Sequence, residues 1–570
     1  MANRRQWLTG ACGALALLAL APAAARADDA LDKAAADPNG WAMYSHGYDN
    51  TRFSPLKEIN TGNVANLKLA YAFQLGSLRS NESSPIVIGD TLYVSTSWGP
   101  RYVYALNAKT GAMKWKYEPE IPDDVLQYAC CDVNSRGVTF ADGRLFVGRL
   151  DGKLSAVDAA TGKELWTADV VDYKQGSVIT SPPLVVKDLV ITGFGGGEYG
   201  ARGSLQAYDI KTGKQVWKTW TVPGPGEPGN ETWKGDSWQH GGGAPWLVGS
   251  YDPKTNTVFW GTSNPGPWNS VVRSTGNGDY GKLTNLYTSS TVAFDADTGK
   301  IKWAVQSTPE DAWDYDGVNE LVLADLNIDG KATPAYMKAD RNGFFYVVNR
   351  DTGKIVSASA YIFQNWAKSM DLATGHAEEA ADKRPGPNHP VKDVCPNLIG
   401  GKNWQPMSYS PDTGLVYIPT NNVCMDWAVS EVNYKKGVFY LGADFPTHGG
   451  PGGNLGELIA WDPVAQKKVW GVKTDLPFSG GTMTTAGGLT FWGDLHGVFH
   501  AYDAAKGDEL WKVGLGSGIG AGAISYAVDG KQYIAVVSGR TASIPAFLGD
   551  IGKQMTNATP EGGTLFVFTE

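Results

Sequence analysis

A short apolar stretch, a polar turn and a tryptophan recur in this order along the chain. In one copy Ala105-Leu106-Asn107 leads through Thr110-Gly111 to Trp115. This pattern predicts an outgoing strand, a turn in which the Asp or Asn side chain bonds to the turn backbone and Gly takes positive φ, and a returning strand with the Trp. Further copies, complete or with a changed Thr-Gly pair, run from Asp158 to Trp166, Asp209 to Trp217, Asp295 to Trp303, Asp462 to Trp470 and Asp503 to Trp511, with a degenerate one from Asn349 to Ser357.

The spacing of these copies predicts a β-propeller. Trp115, Trp166 and Trp217 follow one another at intervals of 51 residues, and units of about 40 to 50 residues with four strands each are typical of propeller blades. A blade cannot bury both of its faces alone, so neighbours stack and the Trp side chains dock between them. We therefore predict an all-β, eight-bladed β-propeller with tryptophan-docking repeats. A two-sheet β protein with fortuitous turns is the weaker alternative, because the copies are so many.

The N-terminus has the features of a secretory signal. Arg4 and Arg5 precede an apolar run over residues 10–20, and Ala25-Arg26-Ala27 resembles a cleavage site. The run is too short to cross a bilayer, and no later stretch approaches about 20 apolar residues. We expect residues 1–27 to be a signal peptide, residues 28–570 to form a single propeller domain, and the mature protein to lie in a periplasm without a membrane span.

Composition and net charge further limit the architecture of this chain and the kinds of partner it can have. The chain has 71 Gly, 21 Trp and 25 Tyr but only 19% charged residues, which suits one large architecture of many short strands and tight turns. The net charge is −9, and it becomes −12 when the three arginines of the predicted signal peptide are removed. An acidic surface argues against a nucleic-acid partner and suits an enzyme or a protein with a basic partner.

Four cysteines remain after the predicted cleavage: Cys130, Cys131, Cys395 and Cys424. An even number in an oxidising compartment indicates disulfides, with three connectivities open. Cys130 and Cys131 either bond to each other, in a strained ring that usually marks function, or reach distant partners. The sequence has no Cys-x-x-Cys-His motif for a c-type haem, so we expect electrons to leave to a separate protein.

Three further segments carry candidate ligands. Trp313-Asp314-Tyr315-Asp316-Gly317 places two carboxylates on one side if it is extended, and a hard cation takes several such oxygens. Solvated turn acids would explain this pair as well. In Gly195-Gly196-Gly197-Glu198 the glycines let the backbone approach a planar ligand, and two prolines stiffen the loop that follows Asn264.

These features in combination resemble the quinoprotein alcohol dehydrogenases, the methanol and ethanol dehydrogenase family. The likeness rests on the Trp repeats, Cys-Cys-Asp, Gly-Gly-Gly-Glu, the Asn-Pro-Gly-Pro-Trp-Asn string and Trp-Asp-Tyr, and it runs from Trp41 to Glu570. It implies pyrroloquinoline quinone (PQQ) and one metal ion as cofactors and a hydride transfer from an alcohol to PQQ. It also implies cytochrome c or a similar carrier as the electron acceptor, and a homodimer.

The resemblance also implies roles for individual residues. A Cys130–Cys131 disulfide lies over one face of PQQ and Trp246 on the other, while Cys395–Cys424 is a structural disulfide. Asp314 is the general base beside the metal ion, and Arg341 bonds to the quinone oxygens. Further cofactor contacts match Glu82, Arg136, Thr180, Gly196, Gly197, Asn403 and Trp404, and the metal ligands match Glu198, Asn264 and Asp314.

Two departures from the family pattern bear on the metal and the substrate. Asp316 stands where lanthanide-using members carry Asp, and a further anionic oxygen favours a trivalent ion over the alternative, Ca²⁺. Ser479 stands where methanol-type members have Trp, which predicts a wider cavity floor and a larger primary or secondary alcohol. A sugar or polyol is the alternative substrate. A non-catalytic propeller scaffold is the rival of another class, and it explains neither Cys130-Cys131 nor the paired acids.

Overall fold

The computed structural model describes residues 31, 33–276, 282–477 and 479–570, and the predicted signal peptide lies outside these ranges. In the described part, eight sheets repeat one pattern of four antiparallel strands in a row. The first four consist of Ile86–Ile88, Thr91–Ser95, Val103–Asn107 and Met113–Tyr117; Thr139–Ala141, Arg144–Gly148, Lys153–Asp158 and Glu164–Asp169; Leu184–Val186, Leu189–Thr192, Ser204–Asp209 and Gln215–Trp220; and Ser250–Asp252, Thr257–Gly261, Ser290–Asp295 and Ile301–Gln306.

The other four sheets continue this pattern towards the C-terminus. They consist of Val322–Ile328, Lys331–Ala339, Phe344–Asn349 and Ile355–Ala360; Ser408–Ser410, Leu415–Asn421, Gly456–Asp462 and Lys467–Thr474; Met483–Thr485, Leu489–Gly493, Val498–Asp503 and Glu509–Gly514; and Ile524–Val528, Lys531–Ser538, Thr564–Thr569 and Lys68–Gln74. The propeller fold is confirmed. The number of blades stays a prediction, with which the eight sheets agree.

The repeated turn docks each sheet on its neighbour. The Asp158 carboxylate accepts hydrogen bonds from the backbone N–H and the hydroxyl of Thr161, at 2.8 and 2.7 Å. Gly162 has φ +74°, and a Cβ there would lie 2.6 Å from the ring of Trp115 in the preceding sheet. The Trp115 indole N–H in turn donates to the Ala159 carbonyl at 3.1 Å. The repeat residues therefore form the contact between sheets, because only glycine leaves room for the indole.

The two ends of the chain share the last sheet. Lys68–Gln74 pairs with Thr564–Thr569 near the C-terminus. A further short strand, Phe53–Ser54, adds in parallel to Met483–Thr485. The ring of sheets is thus closed by hydrogen bonds between residues about 500 positions apart.

Smaller elements lie in the connections between sheets. Strands Val391–Val394, Val423–Val429, Ala443–Asp444 and Thr447–Gly449 form one small sheet, and Ala367–Met370 pairs with Ala377–Glu379. An α-helix, Gly549–Ala558, follows the 3-10 turn Ile544–Phe547. None of the helices in the described ranges is long and apolar enough to cross a membrane.

Candidate active site

A cavity of about 770 Å³, part of it open to solvent, collects most of the predicted site residues. The predicted residues that line it are Cys130, Cys131, Arg136, Thr180, Gly196, Glu198, Trp246, Asp314, Arg341, Asn403 and Trp404. Four predicted residues lie outside the lining and next to it: Glu82, Gly197, Asn264 and Asp316. The sheets supply the fixed frame for this cavity, and the connections between strands supply most of its wall.

The vicinal disulfide forms part of the wall. Cys130 is bonded to Cys131, and Cys395 is bonded to Cys424, so distant partners for the adjacent pair are ruled out. Both sulfur atoms of the vicinal pair lie within 4.8 Å of a Glu198 carboxylate oxygen. Trp246, predicted for the opposite side of the cofactor, also lines the cavity. Sulfur and indole surfaces of this kind suit a flat aromatic ligand.

Asp316 contacts three predicted site residues next to the cavity. Its carboxylate accepts hydrogen bonds from the Trp246 indole N–H at 2.9 Å and from the Asn264 backbone N–H at 2.6 Å. The Arg341 guanidinium lies 3.0 Å away. Asp316 is buried, which excludes a solvated turn acid, and it connects the segments that carry Trp246, Asn264 and Arg341.

Asp314 and Asn264 each present an oxygen that lacks a hydrogen-bond partner in the described part of the chain. These atoms are Asp314 Oδ1 and Asn264 Oδ1, and both are buried. The other Asp314 oxygen lies 3.5 Å from Arg341 Nη1, and the Asp314 carbonyl accepts a hydrogen bond from the same nitrogen at 3.2 Å. Buried oxygens are rarely left unpaired, and oxygen donors of this kind are the ligands of hard cations.

The raised pKa values of three carboxyl groups at the site also favour a bound cation. Burial raises the pKa of Glu198 to about 7, and the negative charge of Asp316 adds to this. Burial raises the pKa of Asp314 well above its usual range and also raises that of Asp316, while Arg341 opposes both shifts. Asp314 and Asp316 are buried, and Glu198 is partly exposed. One guanidinium therefore leaves these three carboxyl groups partly uncompensated, and a bound cation would favour their ionised forms.

A second charged pair, Arg136 and Glu82, supports another part of the cavity wall. Arg136 lies 2.9 Å from Glu82 and donates to the Thr180 hydroxyl at 2.7 Å. Its guanidinium also lies 4.8 Å from the centre of the Trp404 ring. Asn403 donates to the Ile399 carbonyl and accepts from the Trp404 backbone N–H. Burial raises the pKa of Glu82 to about 7 although Arg136 lowers it.

Glycine is required at one position of the predicted Gly-rich turn. Gly196 has φ +126°, and a Cβ there would lie 2.5 Å from the Gly176 carbonyl oxygen. Gly197 does not line the cavity, and the position of its Cβ faces the Asn264 side-chain oxygen at 3.5 Å. The turn therefore lets the backbone approach both the cavity wall and Asn264.

Several residues of the site lie outside the predicted set. Asp311 accepts hydrogen bonds from the backbone N–H groups of Trp313 and Tyr315, so it shapes the turn around Asp314. Its position three residues before Asp314 was the available signal. Apolar parts of the cavity wall come from Trp268, Leu398, Ile399, Ile544 and Phe547. Ile544 and Phe547 belong to no sequence motif, because they lie in a short 3-10 turn near the C-terminus.

Ser479, at the position predicted to widen the cavity floor, is not among the described residues that line the cavity. Its hydroxyl accepts a hydrogen bond from the Trp492 indole N–H at 2.9 Å. The wider cavity floor stays a prediction, because it depends on the absence of a Trp side chain at this position and not on a contact that Ser479 makes.

The fold and the site define the class: a propeller oxidoreductase of the quinoprotein type. The chain matches the family model described as "Glucose/ethanol/alcohol dehydrogenase, beta-propeller domain" over residues 41–359 and 453–534. It is 41% identical to the lanthanide-dependent methanol dehydrogenase of Methylacidiphilum fumariolicum (strain SolV), over 98% of this chain and 97% of the relative. It is 40% identical to a quinoprotein ethanol dehydrogenase of Pseudomonas aeruginosa, over 94% and 91%.

A solved structure agrees with these relatives. The europium-containing methanol dehydrogenase superimposes with a TM-score of 0.90 at 40% identity, and the match covers 95% of this chain and 100% of that one. The chain belongs to the PQQ-dependent alcohol and methanol dehydrogenase family, and alcohol oxidation with PQQ is the activity of this family.

Proposed function

We propose that this protein oxidises a primary or secondary alcohol to an aldehyde or ketone in the periplasm and passes the electrons to a soluble cytochrome c. PQQ would occupy the cavity between the vicinal disulfide and Trp246. A lanthanide(III) ion would be held by Glu198, Asn264, Asp314 and Asp316. The observation that carries the proposal is a pair of buried oxygens without a hydrogen-bond partner in the described part of the chain, Asn264 Oδ1 and Asp314 Oδ1, together with the Asp316 carboxylate, which accepts a hydrogen bond from the Asn264 backbone N–H.

The remaining residues would hold and orient the reactants. Arg136, Thr180, Asn403 and Trp404, with Glu82 behind Arg136, support one side of the cofactor space. When bound, PQQ supplies the redox chemistry by accepting a hydride from the carbinol carbon, and the metal ion supplies a Lewis acid.

Asp314, which lines the cavity, would take the hydroxyl proton of the alcohol on its carboxylate. Arg341 lies against both Asp314 and Asp316, where its positive charge stabilises the ionised carboxylate before the proton arrives. A base needs to be ionised and within reach of the proton it accepts. The Asp314 turn would meet both requirements once a cation is bound.

The apolar part of the cavity supports an alcohol rather than a polyol. Leu398, Ile399, Ile544 and Phe547 offer no hydrogen-bond partners through their side chains. A substrate with several hydroxyl groups would lose hydrogen bonds to water on entering this part of the cavity. A panel of primary alcohols, secondary alcohols and polyols of equal carbon number tests this, and faster turnover of the polyols would contradict it.

The metal is tested by reconstitution. The metal-free protein, loaded with PQQ, is supplied with La³⁺ or Ca²⁺, and turnover is measured with a dye as electron acceptor. We expect activity with La³⁺ to exceed activity with Ca²⁺ by at least tenfold. Replacing Asp316→Ala should remove most of this preference, because it removes one anionic oxygen. Equal activity of the unaltered protein with both ions would refute the lanthanide proposal.

A further inference from the structure

A long irregular connection lies behind the proposed metal site. Residues 430–442 join Val423–Val429 to Ala443–Asp444 and contain no helix or strand. The base of this segment is closed by a hydrogen bond from the Ser430 N–H to the Gly442 carbonyl at 2.9 Å. We call residues 430–442 the strap. No strap residue is among the described residues that line the cavity.

The strap contacts the Glu198 carbonyl and the side chain of the next residue, Tyr199. The Tyr440 N–H donates to the Glu198 carbonyl at 2.6 Å. The Phe439 ring stacks on the Tyr199 ring, with the centroids 4.7 Å apart and the planes 26° from parallel. Tyr199 is buried, whereas Phe439 is 43% exposed. A Cβ on Gly176, which lines the cavity, would clash with Tyr199, so this stack extends to the cavity wall.

The strap also contacts the segments that follow Asn264 and precede the vicinal disulfide. The Leu441 carbonyl accepts a hydrogen bond from the Trp268 N–H at 2.7 Å, and the Ser430 carbonyl accepts one from the Asn269 amide at 3.0 Å. A Cβ on Gly437 would lie 3.0 Å from the ring of Tyr128, two residues before Cys130. The strap therefore connects three segments that are far apart in sequence.

The Glu198 turn needs such external support. Glu198 lies in the single 3-10 turn Gly197–Tyr199, between Gly195-Gly196 on one side and Gly200 on the other. Glycines lose more conformational freedom on folding than other residues, and a turn this short has few hydrogen bonds of its own. Its carboxylate can be kept in one place only if neighbouring elements hold the backbone.

We propose that the strap is a positioning element that holds the Glu198 turn ready to bind the metal ion, with Phe439 as its principal side chain. This inference rests on the proposed function, in which Glu198 is a metal ligand. Phe439 is not among the described residues that line the cavity, so it would act through the Tyr199 ring, while the neighbouring Tyr440 N–H holds the Glu198 carbonyl. Its partly exposed ring would then serve metal binding and not only packing.

The experiment measures metal binding directly. The full-length protein, loaded with PQQ and cleared of metal by a chelator, is titrated with Eu³⁺, and the Eu³⁺ luminescence is recorded. We expect Phe439→Ala to weaken Eu³⁺ binding about fivefold, as the loss of one aromatic pair would. Luminescence lifetimes in H₂O and D₂O should show additional water on the ion. Phe439→Tyr, which keeps the stacked ring, should bind as the unaltered protein does.

Two controls separate the outcomes. Phe363, 50% exposed and outside the strap, is the matched position, and Phe363→Ala should leave Eu³⁺ affinity unchanged. Glu198→Gln tests the ligand itself. Eu³⁺ binding that is absent in the unaltered protein, or unaffected by Glu198→Gln, overturns the metal site and the strap inference together. Binding that is weakened by Glu198→Gln but equal in Phe439→Ala and the unaltered protein overturns the strap inference alone, as does an equal loss in Phe363→Ala.

Discussion

Asp314 combines an unusual backbone with an unusual environment. Its φ is +65°, a region that Asp and Asn enter more readily than most residues. Its carboxylate is buried beside Arg341, and three further acids raise its pKa. The turn is held from outside by Asp311, which accepts hydrogen bonds from the backbone at Trp313 and Tyr315. Such a conformation persists only where the surroundings impose it, and this is common at active sites.

Asp314→Asn should separate folding from catalysis. Asn tolerates the same positive φ, so the variant should fold and keep the absorption of bound PQQ, but its amide cannot accept the alcohol proton. We expect kcat to fall by at least about a hundredfold, the usual contribution of a general base. The measurement is kcat at saturating alcohol together with the thermal midpoint. A variant with more than a tenth of the original kcat would contradict the role of Asp314 as the base.

Glu82 should make the stability of the cofactor-free protein depend on pH. Its pKa is raised from 4.5 to about 7 by burial. Below pH 4.5 the carboxyl is protonated in both the folded and the unfolded protein. Between pH 4.5 and 7 the unfolded protein releases this proton while the folded protein retains it, so the free energy of unfolding falls as pH rises. The total loss is of the order of 3 kcal/mol and is complete above about pH 7.

The test compares how steeply the free energy of unfolding changes with pH in the two proteins, and not its absolute value. Urea unfolding of the cofactor-free protein is measured at several pH values from 5 to 8, and Glu82→Gln should flatten the decline. The Gln variant also loses the ion pair with Arg136, which shifts the whole curve but adds no slope in this range. Identical slopes in the two proteins would show that Glu82 does not titrate in this window.

At the scale of the element, the repeated turn has two roles: it reverses the chain within one sheet and contacts the Trp of the preceding sheet. The Asp or Asn of each copy accepts hydrogen bonds from the backbone of its own turn. Where the turn has a Gly, its missing side chain leaves room for the Trp ring of the preceding sheet. Gly213 shows this clearly: its φ is +68°, and a Cβ would lie 2.6 Å from Trp166. The Trp166 indole N–H donates to the Ile210 carbonyl of the same turn at 3.1 Å.

Gly213→Ala should be more destabilising than the same change in a turn without a docked Trp. Gly530 has a similar φ, +75°, but no atom lies within 4 Å of the position of its Cβ. We expect Gly530→Ala to cost about 1 kcal/mol from backbone strain alone. Gly213→Ala should cost about 1 to 3 kcal/mol more, because the indole has to move. Equal losses in urea unfolding would mean that the Trp does not hold the sheets together here.

One copy of the turn forms although its residues depart from the pattern. The copy at Asp462 lacks Thr-Gly and has Ala465-Gln466 instead, yet Gln466 adopts φ +53° and the turn forms. The Asp462 carboxylate still accepts two backbone hydrogen bonds there. In this copy the flanking strands enforce a geometry that the local residues do not favour. The Asp or Asn is the most constant part of the pattern, because the copy from Asn349 to Ser357 keeps it and loses the Trp.

At the scale of the whole molecule, the sheets depend on closure by the chain ends. Lys68–Gln74 is the outer strand of a sheet whose other strands come from residues 524–569. The closing strand pair brings sheets that are far apart in sequence into contact. One hydrophobic core cluster accordingly includes residues from Trp41 to Phe568. Without the closing strand pair, the first and last sheets would each expose an apolar face.

Removal of residues 563–570 should therefore affect the entire protein. This deletion removes the strand Thr564–Thr569, which separates Lys68–Gln74 from Lys531–Ser538. We expect no folded, PQQ-binding protein to be recovered, whereas deletion of the exposed Glu570 alone should be tolerated. A truncated protein with an unchanged thermal midpoint would show that closure is not required.

The sequence by itself determined the repeat, the turn chemistry and the class of protein, because these depend on residues within about ten positions of one another. It also pointed to the vicinal disulfide and the paired acids. Only the tertiary structure decided that Asp316 contacts Trp246 and Asn264, that Ser479 faces Trp492, and that Ile544 and Phe547 reach the cavity. These contacts join segments separated by up to several hundred residues, and their geometry is set by the order and closure of the sheets, which no local pattern encodes.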